Sequence, residues 1–284
     1  MTTDASKYYI PEPSRWPIFG SAALLLMAFG ATLWINREPV IGPWVLATGV
    51  AILIYMLFGW FGSVIRENQK GLYNLHVDGS FRWGMSWFIF SEVMFFAAFF
   101  GALFYMRVLS VPWLADMENK LLWPNFTGSW PVAGPGLPQD FTPMAAAGIP
   151  ALNTLILLTS GVTVTWAHWG LKKNNRGQLI LGLLLTVLLG MTFLGFQAYE
   201  YGHAYSAMNL KLTTGAYGAT FFMLTGFHGL HVTLGTIMLI VILFRCIAGH
   251  FTPERHFAFE GVSWYWHFVD VVWLLLFILV YWLV

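Results

Sequence analysis

Apolar residues along this chain fall in long unbroken blocks, and short polar clusters cut the blocks apart. Seven blocks read as helices, at about 17–35, 41–63, 83–109, 150–170, 178–200, 215–245 and 259–283. About 20 apolar residues in a helix cross the hydrocarbon of a bilayer, so each block is long enough to span it. The pattern predicts an all-α integral membrane bundle of seven transmembrane helices.

The cuts have physical causes. Asn36-Arg-Glu-Pro39 ends the first block, because proline cannot continue a helix and the charges resist burial. Arg66-Glu-Asn-Gln-Lys70 ends the second, and Lys172-Lys-Asn-Asn-Arg-Gly177 makes a tight basic turn between the fourth and fifth. The stretch 111–149 carries Pro112, Pro124, Pro131, Pro135, Pro138 and Pro143. Irregular backbone of that kind must lie outside the hydrocarbon. No internal repeat is visible, so the sequence gives an inverted-repeat transporter no support.

Lysine and arginine set the orientation. With the N-terminus inside, the inner side holds Lys7, Arg15, Arg66, Lys70, Arg82, Lys172, Lys173, Arg176, Arg245 and Arg255; the outer side holds Arg37, Arg107, Lys120 and Lys211. That bias places the N-terminus on the inner, cytoplasmic side and the C-terminus on the outer side. The expected organisation is a polar tail at 1–16, a two-helix unit at 17–63, a cytoplasmic loop at 64–82, and a five-helix bundle at 83–284 with an external loop at 111–149. No cleaved signal peptide is apparent, because the polar start lacks a small-residue cleavage site before the first block.

Composition narrows the class. Charged residues make up 10% of the chain, against about 25% in a soluble domain, and fifteen tryptophans suit aromatic belts at both interfaces. A net charge of +1 argues against nucleic acid or another polyanion as partner. The single cysteine, Cys246, excludes a disulfide within the chain and a thiolate metal cluster. No Walker loop, dinucleotide fingerprint, nucleophile elbow or zinc-protease motif is present.

Candidate chemistry then rests on a few polar groups at membrane depth. Glu92 lies in the run Trp83 to Gly101, roughly 14 Å along the helix from the charge of Arg82. A carboxyl group there costs about 2.5–3.5 kcal/mol, so a partner should compensate it. It reads either as a proton-exchanging group or as an acid hydrogen-bonded to a neighbouring helix. His228 and His231 are three apart on one face of the sixth span, and His267 and Asp270 are three apart early in the seventh. Histidine–carboxylate pairing suits them, since imidazole donates to one partner while accepting from another. Metal or haem ligation needs converging ligands and open space that the bulky neighbours argue against. Alternatives from other classes are a proton-coupled transporter using Glu92 and Asp270 and a membrane cytochrome using His228 and His267. Small residues are expected to let helices approach closely at Ala97, Gly101, Gly226 and Gly229. At the inner surface, Arg66, Glu67, Arg82, Arg245, His250, Arg255 and His256, with Trp60 and Phe61 one turn deeper, suit lipid phosphates or read as ordinary flanking charge.

Five runs taken in order carry a family resemblance. They are Trp87-Phe-Ile-Phe-Ser-Glu92-Val-Met-Phe-Phe, Leu152-Asn-Thr with Ser160-Gly-Val-Thr-Val-Thr-Trp-Ala-His168, Phe196-Gln-Ala-Tyr-Glu200-Tyr, Thr225-Gly-Phe-His-Gly-Leu-His-Val232, and Trp264-Tyr-Trp-His-Phe-Val-Asp-Val-Val-Trp273. From Trp60 to the C-terminus the chain resembles subunit III of the haem–copper oxidases, specifically the aa3-type cytochrome c oxidase. The related quinol-oxidase subunit III is the alternative within that group, and it usually has five helices. The resemblance implies two N-terminal helices splayed from a five-helix bundle, with phospholipids in the cleft. It implies no haem or copper in this chain, with haem a and copper held by partner subunits I and II and direct packing on subunit I. The chain would count as an enzyme only as part of that oxidase, supporting proton uptake and stability during turnover. By position, the resemblance makes Glu92 the carbodiimide-reactive carboxyl and gives Trp60, Glu67, Arg245, His250 and Phe251 to lipid. Phe61 stands where the family has a tryptophan, and Tyr73 where it has a histidine. The long 111–149 loop points to a bacterial enzyme in the inner membrane.

Overall fold

The structure, a computed structural model, describes residues 8–36, 39–116, 118–138 and 140–284. The start of the expected N-terminal tail, with Lys7, and the charges Arg37 and Glu38 of the first stop lie outside the described residues. Among the described residues, seven helices are long and apolar enough to cross a membrane: α1 Trp16–Ile35, α2 Ile41–Gln69, α3 Leu75–Leu114, α4 Ile149–Lys172, α5 Arg176–Ala207, α6 Ala216–Ile247 and α7 Phe257–Trp282. No strand occurs among the described residues. The chain forms two compact units, one running to Phe81 and the other from Arg82 to Val284, so the division falls within α3.

Several helices outrun their apolar blocks. α2 continues through Arg66 to Gln69, α3 begins at Leu75 instead of 83, and α5 continues from 200 to Ala207. Polar residues stop burial in lipid, but they do not stop helical hydrogen bonding once the helix reaches water. α3 widens into π-type turns over Tyr105–Ser110 before a last α-helical turn at Val111–Leu114.

The helix ends show local causes. α4 starts on Gly148, at φ +94°, with Pro150 in the first turn, where its missing N–H has no partner to lose. Asn175 caps α5, its Oδ1 accepting from Gln178 N at 3.2 Å. Arg176 reaches across to the end of α6 and donates to the carbonyls of Cys246 (2.9 Å) and Ile247 (2.7 Å). These acceptors are otherwise left over at a helix C-terminus. Arg107 donates to the Leu283 carbonyl just beyond α7.

Within the first unit, α1 and α2 meet at glycines. A Cβ on Gly42 would lie 2.5 Å from Trp34 N, and one on Gly49 2.7 Å from Met27 N. Within the second, α4 and α5 pack at Gly182, where a Cβ would come within 2.8 Å of Ala167 Cβ. Gly101 and Gly229 have open space, and Gly226 meets only the Tyr201 hydroxyl at 3.7 Å. The close approaches expected there are made instead by Gly182, Gly190 and Gly235. The side chain that fills Gly190 and Gly235 is Trp266, which is wholly buried and donates from Nε1 to Ser160 Oγ at 2.9 Å. Trp273 likewise donates to Thr154 Oγ1 at 2.9 Å. Two indoles thus join α7 to α4 through both packing and hydrogen bonds, in surroundings where helices gain no hydrophobic drive from lipid.

Candidate functional site

Glu92 finds its partner on α6. His231 Nε2 lies 2.9 Å from Glu92 Oε2, and His231 Nδ1 lies 2.6 Å from the carbonyl of Phe227 one turn earlier. A carbonyl only accepts, so Nδ1 carries a hydrogen. The link from Nε2 to Oε2 then contains one further proton, resident on either the imidazole or the carboxyl. The pair is neutral overall in both cases, which removes most of the cost of placing an acid at this depth. Phe96 packs edge-on against the His231 ring, with centroids 4.9 Å apart.

His228, one turn before His231, does something different. It is wholly buried and donates from Nε2 to the Val269 carbonyl at 3.1 Å. Phe193 and Trp273 enclose its ring at 5.8 and 5.1 Å. The two histidines on one helix face therefore serve two different neighbours: α3 through Glu92 and α7 through a main-chain carbonyl.

His267 and Asp270 form the second imidazole–carboxyl contact. Thr165 Oγ1 donates to the Gly161 carbonyl at 2.9 Å and so accepts from His267 Nε2 at 3.2 Å. That leaves His267 Nδ1 toward Asp270 Oδ2 at 3.6 Å, an ion-pair distance and not a hydrogen bond. Asp270 is buried, and it presses so close to Gly161 that any side chain there would collide with Oδ2. Among the described residues no group of three His, Cys, Asp or Glu side chains is arranged to hold a metal ion.

The basic groups flanking the spans divide between the two units. In the first, Trp60 stacks on Phe61 with centroids 5.6 Å apart, and both rings are half exposed. Glu67 accepts from the Tyr73 hydroxyl at 2.8 Å. Burial and this hydrogen bond raise the Tyr73 phenol above its ordinary pKa. Arg66 turns back to Ser63 at 3.1 Å. In the second unit, the Arg245 guanidinium sits over the Phe251 ring, 4.4 Å from its centroid. Arg245 Nε and His250 Nδ1 are buried without a protein hydrogen-bond partner. Arg82 is tied to Glu260 at 2.5 Å, and His168 meets His256 edge-on at 5.3 Å.

Three partners escaped the sequence reading: Glu260 for Arg82, Tyr281 for Glu200, and Ser160 for Trp266. Tyr281 donates to Glu200 Oε1 at 2.7 Å. Each pair joins residues more than 80 positions apart. A single sequence carries no signal linking such positions.

Long apolar helices, acids matched to imidazole or phenol partners on other helices, and indole hydrogen bonds in the core define a multi-pass α-helical membrane protein. The family follows from comparison with known proteins. Residues 6–284 match the family model described as cytochrome c oxidase subunit III. Curated proteins named cytochrome c oxidase subunit 3 align over 283 residues, covering 99% of each chain: that of Latimeria chalumnae is 41% identical, that of Scyliorhinus canicula 41%, and that of Hippopotamus amphibius 40%. The chain belongs to the cytochrome c oxidase subunit III family.

Proposed function

We propose that this chain is a non-redox integral subunit of a proton-pumping cytochrome c oxidase of the aa3 type, which passes electrons from cytochrome c to oxygen. The observation that carries this is the family match over nearly the whole chain. Electron transfer would belong to haem a and copper in subunits I and II, with this chain packed directly on subunit I. The membrane would be a bacterial inner membrane, with the N-terminus cytoplasmic and the C-terminus periplasmic. The long 111–149 segment and the distribution of Lys and Arg support that placement.

The chain's own part is structural and electrostatic. Arg245 and His250 would hold a phospholipid headgroup. Two buried nitrogens there lack protein partners, and phosphate oxygens are acceptors that suit them. The Phe251 ring would hold the guanidinium in place beneath such a headgroup. Trp60 and Glu67 would meet lipid at the inner end of the first unit. The chain would also support proton uptake by the catalytic subunit. Glu92 and His231 would share one proton and fasten α3 to α6.

The test is tag purification in mild detergent, with a visible spectrum and identification of co-purifying subunits. Haem a should accompany the partner subunits and be absent from the separated chain. A stoichiometric haem or copper on this polypeptide would end the reading. Glu92→Gln keeps an acceptor for His231 and should leave haem reduction in the assembled enzyme unchanged; abolished reduction would contradict the division of labour.

A further inference from the structure

Glu200 has no part in that reading, yet its surroundings form a distinct site. It lies near the end of α5 that adjoins the 111–149 segment, about 10 Å along the helix from Ala207. The residue is buried. Tyr281 donates to Oε1, while Oε2 is buried with no protein hydrogen-bond partner. Gln197, one turn earlier, is also buried. Its amide lies beside Glu200, Tyr201 and Tyr281, but its oxygen and its nitrogen are both buried and neither meets a partner at full hydrogen-bond geometry. The Tyr217 hydroxyl on α6 is buried near the Met144 main chain. The three unpartnered atoms of Gln197 and Glu200 would each cost about 1–3 kcal/mol if nothing met them. Water normally meets such atoms in folded proteins.

A route for water adjoins the cluster. A cavity of about 220 Å³ is walled by Glu200 and His203 on one side and by Met144, Ala145, Ala147 and Pro150 on the other. At about 30 Å³ per water it has room for several. Ala145 and Ala147 are exposed, so the cavity rim meets the surface at the loop end of the bundle.

We propose that Gln197, Glu200 and Tyr281 form a hydrated proton-holding site, in which the Glu200 carboxyl exchanges its proton with water reaching it from the loop side through the cavity beside His203. The exchange is Glu200–COOH plus water giving carboxylate plus hydronium, and the reverse. Carboxylate Oε1 keeps the Tyr281 hydrogen bond in both states, and Gln197 offers its N–H to Oε2 after a small rotation. The other ionisable groups facing the site are Tyr201 and His203 on α5, Tyr217 on α6 and Tyr281 on α7. Residues 144–150 bring none.

Infrared spectroscopy of the protein in its native assembly, on transfer to heavy water, tests this. A carboxyl C=O band should shift down on deuteration, vanish in Glu200→Gln, and change frequency in Tyr281→Phe, which removes the hydrogen bond to Oε1. If Glu200→Gln does not assemble, the Tyr281→Phe displacement assigns the band. Ala147→Trp fills the cavity from its exposed rim without touching the helix core, and it should keep the band while delaying the deuterium shift. The proposal is overturned if no band responds to either substitution, if the assigned band fails to shift in heavy water, or if Ala147→Trp leaves its exchange rate unchanged.

Discussion

Two glycine-to-alanine substitutions separate helix packing from helix propensity. Gly182 on α5 faces Ala167 on α4, and an added Cβ would sit 2.8 Å from Ala167 Cβ and 3.1 Å from both Ala167 Cα and N. Two of those atoms are main chain, so no side-chain rotation relieves the clash and the helices must part. Overpacking of this kind costs about 1–3 kcal/mol. Gly229 on α6 meets nothing within 4 Å. Both positions lie inside helices, so both substitutions gain about 0.5–1 kcal/mol of propensity. That gain cancels in the comparison. Gly182→Ala should therefore be less stable than Gly229→Ala by the clash alone, about 1–3 kcal/mol, and Gly229→Ala should match or exceed the natural chain. Reversible unfolding of the purified chain in mixed micelles, titrated with SDS, measures the difference. Equal destabilisation by the two would refute the argument and restore the small-residue pattern around His228 as the packing signal.

The other predictions use the same structure. Trp266→Phe removes the hydrogen bond to Ser160 and part of the volume filling Gly190 and Gly235, and should cost about 1–3 kcal/mol in the same titration. Tyr73 holds its proton above the ordinary value of 10.0 because of burial and Glu67. Above that pH the unfolded chain loses this proton first, so folding stability should fall as pH rises; Tyr73→Phe should flatten that component of the alkaline slope, as read by unfolding at several pH values. Arg245→Gln removes the charge over Phe251 and should lower the phospholipid phosphorus retained per complex after detergent washing, whereas Lys120→Gln in the 111–149 segment should not.

Hydrophobic blocks made most of the architecture readable. A membrane span needs a minimum apolar length, so seven blocks gave seven helices. What the blocks could not carry was where each helix stops. Gln69 and Ala207 lie beyond the apolar segments because hydrogen bonding continues into water, and the turn at Asn174, with φ +53°, is fixed by local backbone chemistry instead. Small residues misled for a related reason. Gly101 and Gly229 are four and three positions from other small residues, but spacing within one helix says nothing about which face meets a neighbour. Gly182 and Gly190 matter because Ala167 and Trp266 lie opposite them.

The polar residues show the same division. Depth alone said that Glu92 needed a partner, since an unmatched acid in hydrocarbon is costly. It could not say that His231 supplies the match while His228, three residues earlier and chemically identical, turns to the Val269 carbonyl. The difference lies in what that face of α6 meets at each level. His231 points at α3, which brings a carboxyl group. His228 points at α7, which brings only main chain at that level. An imidazole nitrogen facing a carboxyl group can give or take the shared proton, as His231 Nε2 can, whereas a nitrogen facing a carbonyl, as His228 Nε2 does, must keep its hydrogen. The substitution His231→Gln should thus disturb α3 and any proton held on Glu92, while His228→Gln should disturb the seating of α7 and the packing of Phe193 on α5 and leave α3 in place. That contrast makes the first histidine pair legible as chemistry in one member and as architecture in the other.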